Sequence, residues 1–116
     1  VPTNQITIEV NFDTAPFMAD EMLAIVQKEI DDLVKNGPSS SELENAQRYF
    51  NKLYKTNIST NSYWQETLSD YYRYGIDNFT NYENTMNGLT PSDIRKFAKT
   101  VFGQKNKMEF VLLPKK

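Results

Sequence analysis

The sequence predicts an α+β chain: one strand, four to five helices, then a closing strand. Three observations predict it. Apolar residues alternate with polar ones over Gln5–Phe12. Stripes at helical spacing, punctuated by Gly37, Gly75, Gly88 and Gly103, fill the middle. Met108–Leu113 is an apolar run rich in β-formers, closed by Pro114. Period two marks a half-buried strand, and period 3.6 marks an amphipathic helix.

In the first element, Ile6, Ile8, Val10 and Phe12 share one face, with Thr7, Glu9 and Asn11 on the other. Asp13-Thr14-Ala15-Pro16 breaks it, since proline suits the first turn of a helix. A helix follows from about Pro16 to Lys35, with Met22, Val26, Ile30 and Leu33 as its stripe. Asn36-Gly37-Pro38 stops it. Ser39 with Glu42, or Ser41 with Glu44, makes a capping box for a second helix reaching about Ser59. Its stripe is Leu43, Ala46, Phe50 and Leu53, with Tyr54 beside it. Asn61 caps a short helix bearing Trp64, Leu68, Tyr71 and Tyr72, and Gly75 ends it. Phe79, Tyr82 and Met86 place a further helix over Asp77–Asn87, stopped by Asn87-Gly88. Thr90-Pro91 opens the last helix, whose stripe is Ile94, Phe97, Ala98 and Val101, and Gly103 closes it. Residues 104–107 form a turn before the second strand.

Composition bounds the chemistry. The chain has 116 residues, within the size of one domain. Leu, Ile, Val and Phe total 28 of these, more than a disordered chain carries. There is no histidine and no cysteine, so no Ser-His-Asp triad, Cys-His dyad, thiolate or imidazole metal ligand, or disulfide can form. Thirteen basic against fifteen acidic residues, a net charge of −2, argue against a nucleic-acid partner. No membrane span or signal peptide is visible. The chain begins at Val1-Pro2 rather than Met, which suggests a processed product or a fragment. Two strands make a poor sheet. The expectation is that the sheet continues in chain outside this sequence, and that open strand edges allow a homodimer.

Few side chains invite a site. Asp31-Asp32, near Glu29, are neighbours in a helix and point about 100° apart, so they read as a solvated face and not a catalytic pair. Glu42 and Glu44 read as capping residues. Arg48, Lys52 and Lys55, near Tyr49 and Tyr54, share a helix face, but three charges support only weak phosphate binding. Tyr63-Trp64 to Tyr71-Tyr72-Arg73-Tyr74 is dense in aromatics. It reads as core and rim, with a peptide platform as the functional alternative. Asn57-Ile58-Ser59 and Asn78-Phe79-Thr80 match a glycosylation acceptor pattern that chance also produces. No catalytic, cofactor-binding or metal-binding residue is assigned.

The order of these landmarks resembles a known family. They run from Ile6-Thr7-Ile8-Glu9-Val10-Asn11-Phe12 with Pro16, through Val26-Gln27-Lys28-Glu29-Ile30 and Leu33, to Gly37-Pro38-Ser39 with Glu42-Leu43 and Ala46. Asn61, Trp64, Leu68, Gly75, Tyr82, Leu89-Thr90, Ile94, Ala98 and Val111-Leu112-Leu113-Pro114 complete the set. This is similar to the second half of a peptidase-like domain of insulinase/pitrilysin-type zinc metallopeptidases, nearest to envelope-associated zinc proteases of Bacteroides-type bacteria. The resemblance implies an α/β sandwich with helices on one face of an antiparallel-type sheet. It implies that residues 1–116 are a partial, C-terminal, non-catalytic domain. Its partners would be the remaining domains of a parent protease and the peptide substrate, in the periplasm or cell envelope. Zinc would sit in the parent's catalytic domain, on a His-x-x-Glu-His motif absent here. The family's substrate-contacting Arg and Tyr would precede Val1 and are not transferred to Arg48 or Arg73. A free-standing peptide- or protein-interaction module is the alternative.

Overall fold

The computed structural model describes residues 5–115, and these contain a short 3-10 turn and five α-helices. The turn is Pro16–Met18; the helices are α1 (Ala19–Asn36), α2 (Ser40–Asn57), α3 (Asn61–Tyr74), α4 (Tyr82–Gly88) and α5 (Pro91–Phe102). The chain divides into two compact units. One is Ser39–Pro91, holding α2, α3 and α4; the other joins Gln5–Pro38 to the chain from Ser92 onward, holding α1 and nearly all of α5.

Helix boundaries follow local chemistry. Ser39 and Glu42 form the capping box of α2: Ser39 N–H and Oγ donate to Glu42 Oε2 at 2.8 and 2.7 Å, and Glu42 N–H donates to Ser39 Oγ at 3.3 Å. Gly37 (φ 74°) and Gly75 (φ 69°) end α1 and α3 with positive φ, donating to Leu33 O and Tyr71 O at 2.9 Å each. Glycine takes that conformation without a Cβ clash. After α5, Gly103 passes so near Lys99 that a Cβ on it would lie 2.5 Å from the Lys99 carbonyl oxygen. Gly103→Ala is therefore expected to cost about 1–2 kcal/mol, read as a lower urea midpoint.

Two boundaries differ from the sequence reading. Thr60, not Asn61, caps α3, its hydroxyl accepting from Tyr63 N–H at 3.4 Å. The helix expected from Asp77 begins at Tyr82. Asp77 Oδ1 instead accepts from the N–H groups of Phe79 (3.1 Å) and Thr80 (2.8 Å), a turn that competes with helix. Asn81, at φ 59°, then leads into α4.

The larger correction concerns fold class. Among the described residues there is no strand, so the α+β class, the antiparallel-type sheet and the peptidase-like sandwich are overturned in favour of an all-helical arrangement. Gln5–Phe12, with its alternating pattern, and Met108–Leu113, with its apolar run, join no ladder. A strand exists only when its N–H and C=O groups find a partner strand, and periodicity does not supply one. Their side chains follow suit: Ile6 is 58% exposed, Val10 56% and Leu112 99%. A homodimer through strand edges loses its basis with the strands.

The packed faces of α1 and α5 are the expected ones. Met22, Val26, Ile30 and Leu33 are half-buried, as are Ile94 and Val101, while Ala98 is 2% exposed. Phe97, included in the α5 stripe, lies exposed. Helix α2 keeps part of its expected face, Leu43 and Tyr54, and is turned away from the rest. Leu43, Gln47, Asn51 and Tyr54 turn inward, while Ala46, Phe50 and Leu53 face solvent. The cause is polar docking on α4. Gln47 Nε2 donates to Met86 O (2.9 Å) and Leu89 O (3.2 Å), and Asn51 Nδ2 donates to Asn87 Oδ1 (2.6 Å). Among the described residues no helix is long and apolar enough to cross a membrane.

Candidate functional site

The unit Ser39–Pro91 gathers aromatic side chains from three helices and a loop. Tyr54 of α2 stacks on Tyr82 of α4, with ring centroids 4.3 Å apart and planes 15° apart. Tyr63 of α3 meets Tyr54 edge-on at 6.2 Å. Phe79, in the loop after α3, sits 5.9 Å from both Trp64 and Tyr71, edge-on to each. Such edge-to-face and stacked contacts suit the quadrupoles of the rings. Trp64 is further fixed by Nε1 donating to Ile58 O at 2.8 Å. Burial pushes the Tyr54 phenol up from its ordinary pKa, with further pressure from Tyr63, Glu83 and Tyr82, so the cluster carries a neutral Tyr54.

The aromatic run noted in the sequence thus contributes Tyr63, Trp64 and Tyr71, while Tyr72 is turned out to solvent. Tyr54 and Tyr82 come from other helices; spacing placed each on the apolar side of its own helix but gave no sign that they meet. Beside the cluster lies an open groove of about 260 Å³ lined by Tyr63, Glu66, Thr67, Asp70, Asn78 and Tyr82. Glu66, Thr67 and Asp70 were not singled out from the sequence. The signal available was Glu66 and Asp70 one turn apart, with Thr67 on the same side.

The other candidates separate. Asp31 accepts from Gln27 Nε2 (2.9 Å) and Asp32 from Asn36 Nδ2 (2.6 Å), each along the surface of α1, so the pair does not converge. Glu42 is a cap. Its carboxyl lies below the usual range because the Ser39 hydroxyl and then the Ser39 N–H donate to it. Asp77 lies low because Thr80, through its N–H and then its hydroxyl, donates to it, with Phe79 N–H adding to this. Both carboxyls have folded pKa values depressed below the unfolded ones. The stability they lend is present above the ordinary carboxylate range and is lost as pH falls through the depressed values. Melting temperature is expected to fall on acidification across that window, and Glu42→Gln with Asp77→Asn should flatten the decline.

Arg48, Lys52 and Lys55 do come together, lining with Asn51 and Thr56 an open groove of about 500 Å³ along α2. Tyr54 leaves them for the aromatic cluster. The acceptor pattern at Asn57 starts on the last residue of α2 and runs into the turn after it, where Thr60 Oγ1 donates to Asn57 O at 2.7 Å, and the one at Asn78 lies in the loop before α4, where Thr80 N–H is held by Asp77.

Zinc sites take imidazole, thiolate or carboxylate ligands. This chain has no histidine or cysteine, and among the described residues no three acidic side chains could hold a metal. The residues present do not fit the metal that the resemblance implies. Comparison with family models, curated proteins and solved structures finds no match to this chain.

Proposed function

We propose that the chain serves as a non-catalytic part of a zinc metalloendopeptidase of insulinase/pitrilysin type. It would complete a wall of the chamber that holds the peptide, while histidine-bearing domains elsewhere bind zinc and hydrolyse the bond. The observation that carries this reading is apolar surface left without cover in both units. On α2, Ala46, Phe50 and Leu53 form an exposed stripe at four- and three-residue spacing. In the other unit, Ile6, Val10, Phe110 and Leu112 are exposed along the two extended segments. Apolar area removed from water is worth about 25 cal/mol per Å², so these surfaces favour cover by a neighbour. The ordered landmarks of the sequence make the remaining protease domains that neighbour, and an envelope location follows from the same resemblance. The reading rests on this surface and those landmarks, without the sheet that the resemblance implied.

A second reading, a free-standing peptide-interaction module, is favoured by the aromatic groove of the other unit. Two measurements separate them. The chain with added zinc is expected to turn over no peptide, and metal-dependent turnover would sink the structural role. Native protein isolated with an antibody to this chain should yield peptides of a His-x-x-Glu-His sequence, in the same polypeptide or in stoichiometric complex. A free polypeptide of this length with no such companion would establish the module instead.

A further inference from the structure

We propose that Asn87-Gly88 is a self-modifying site, deamidated in water when α4 leaves α2, and that its isoaspartyl product prevents α4 from docking again. The proposal concerns only the unit Ser39–Pro91 and does not depend on the chamber role. The sequence has two Asn-Gly pairs, Asn36-Gly37 and Asn87-Gly88. In such a pair the main-chain N–H of glycine gives its proton to hydroxide, and the nitrogen attacks Cγ of the asparagine. The Cγ–Nδ2 bond breaks, ammonia leaves with a proton from water, and a succinimide ring remains. Water then opens the ring at either carbonyl, leaving aspartate or isoaspartate. Glycine favours the closure because it has no Cβ to obstruct it. Around Gly88 the space is open: a Cβ there would meet nothing within 4 Å, and Asn87 and Gly88 are both exposed.

Docking on α2 restrains the reacting groups. Asn87 Oδ1 accepts from Asn51 Nδ2 at 2.6 Å. Gln47 Nε2 donates to Met86 O (2.9 Å) and Leu89 O (3.2 Å), the carbonyls of the residues flanking the pair. Ring closure requires Asn87 to leave its helical torsions, and these bonds oppose that movement. The docking is readily lost. Helix α4 has seven residues, and an isolated helix shorter than about 12–15 residues is marginal in water. Docking also leaves Asn51 Oδ1 buried without a hydrogen-bond partner, a cost that release into water removes. Asn36-Gly37 is the contrast. It closes α1, a helix of 18 residues, where Gly37 N–H donates to Leu33 O at 2.9 Å and Asn36 Nδ2 donates to Asp32 Oδ1 at 2.6 Å. Those bonds lie within one helix and do not depend on docking. The two products at position 87 differ in effect. Aspartate keeps an acceptor for Asn51 Nδ2. Isoaspartate adds a methylene to the main chain between Met86 and Leu89, so Gln47 Nε2 no longer meets both carbonyls. A reversible opening thus becomes permanent.

The full chain is aged at mildly alkaline pH, and its tryptic peptides are followed by mass spectrometry. Deamidation adds one mass unit, and labelling by isoaspartyl methyltransferase marks isoaspartate. Asn87 is expected to react about tenfold faster than Asn36 in folded protein, with the two rates converging in denaturing urea. Gln47→Leu removes both bonds to the flanking carbonyls and should speed Asn87 about tenfold. Asn36 is the internal control and should keep its rate, since a general loss of structure would raise both. Isoaspartyl protein, separated by chromatography, should show faster hydrogen exchange in α4. Equal rates at Asn36 and Asn87 in folded protein, no acceleration by Gln47→Leu beyond that at Asn36, or native exchange in isoaspartyl protein would each overturn the proposal.

Discussion

Ala98→Asp is expected to unfold the unit that contains α5. Ala98 is 2% exposed, the least exposed of the buried residues among those described. It lies between Ile94 and Val101 on the inward face of the helix. A carboxylate there would lose its water. Leaving a buried charge uncompensated costs about 3–5 kcal/mol. Typical domains have only about 5–15 kcal/mol of stability in all. Circular dichroism on heating should show an early or non-cooperative loss of helix. Lys96→Asp, which puts a carboxylate at an exposed position of the same helix with an even larger change of charge, is the control and should cost far less. Equal melting of the two variants would show that α5 is turned the other way.

That contrast marks where sequence patterning carries information and where it stops. Ala98 was readable because the inward residues of α1 and α5 are apolar, and hydrophobic period reports such faces. Helix ends were readable for a similar reason. Ser39 with Glu42, Gly37 and Gly75 act within a few residues of themselves, so the determinants lie inside the window being read. The strands at Gln5–Phe12 and Met108–Leu113 failed because pairing is a long-range property that an alternating pattern only permits. Asp77 misled for a different reason. An acidic residue at a helix start and an Asx-type turn use the same carboxylate, and here the turn won.

The groove was half legible. Aromatic density around Trp64 pointed to the right unit, but which rings meet depends on how α2 and α4 are set against α3. Tyr54 and Tyr82 lie far apart in sequence and stack at 4.3 Å. Helix α2 explains much of the difficulty. Of the stripe that periodicity selects, Leu43 and Tyr54 face inward while Ala46, Phe50 and Leu53 do not, and two amides, Gln47 and Asn51, share the inward face. A glutamine and an asparagine at four-residue spacing look like solvent-facing residues. They are inward here because Gln47 donates to the carbonyls of Met86 and Leu89, the first of which also accepts from Leu89 N–H, and Asn51 donates to the Asn87 side chain. The exposure of Ala46, Phe50 and Leu53 goes with that rotation of α2.

Gln47 should therefore matter more than any apolar residue of α2 apart from Leu43. Its Nε2 donates to two carbonyls, Met86 O at 2.9 Å and Leu89 O at 3.2 Å. Gln47→Leu keeps much of the volume and removes both bonds. Each neutral bond contributes about 1 kcal/mol, and a carbonyl left dry costs about 1–3 kcal/mol more, so a loss of about 2–3 kcal/mol is expected after the gain from the added methyl groups. Gln47→Glu should be worse at neutral pH, because a carboxylate would face two carbonyl oxygens, and protonation at low pH should recover part of the loss. Asn51→Leu is the informative comparison. Its Nδ2 has one partner, Asn87, and its Oδ1 is buried with none, so removing the amide gives up one bond and relieves one unmet acceptor. The expected order of destabilisation in urea is Gln47→Glu, then Gln47→Leu, then Asn51→Leu, with hydrogen exchange in α4 accelerated in the same order. Wild-type stability in both Gln47 variants would mean that α4 is held by apolar contact, and the rotation of α2 would then need another cause.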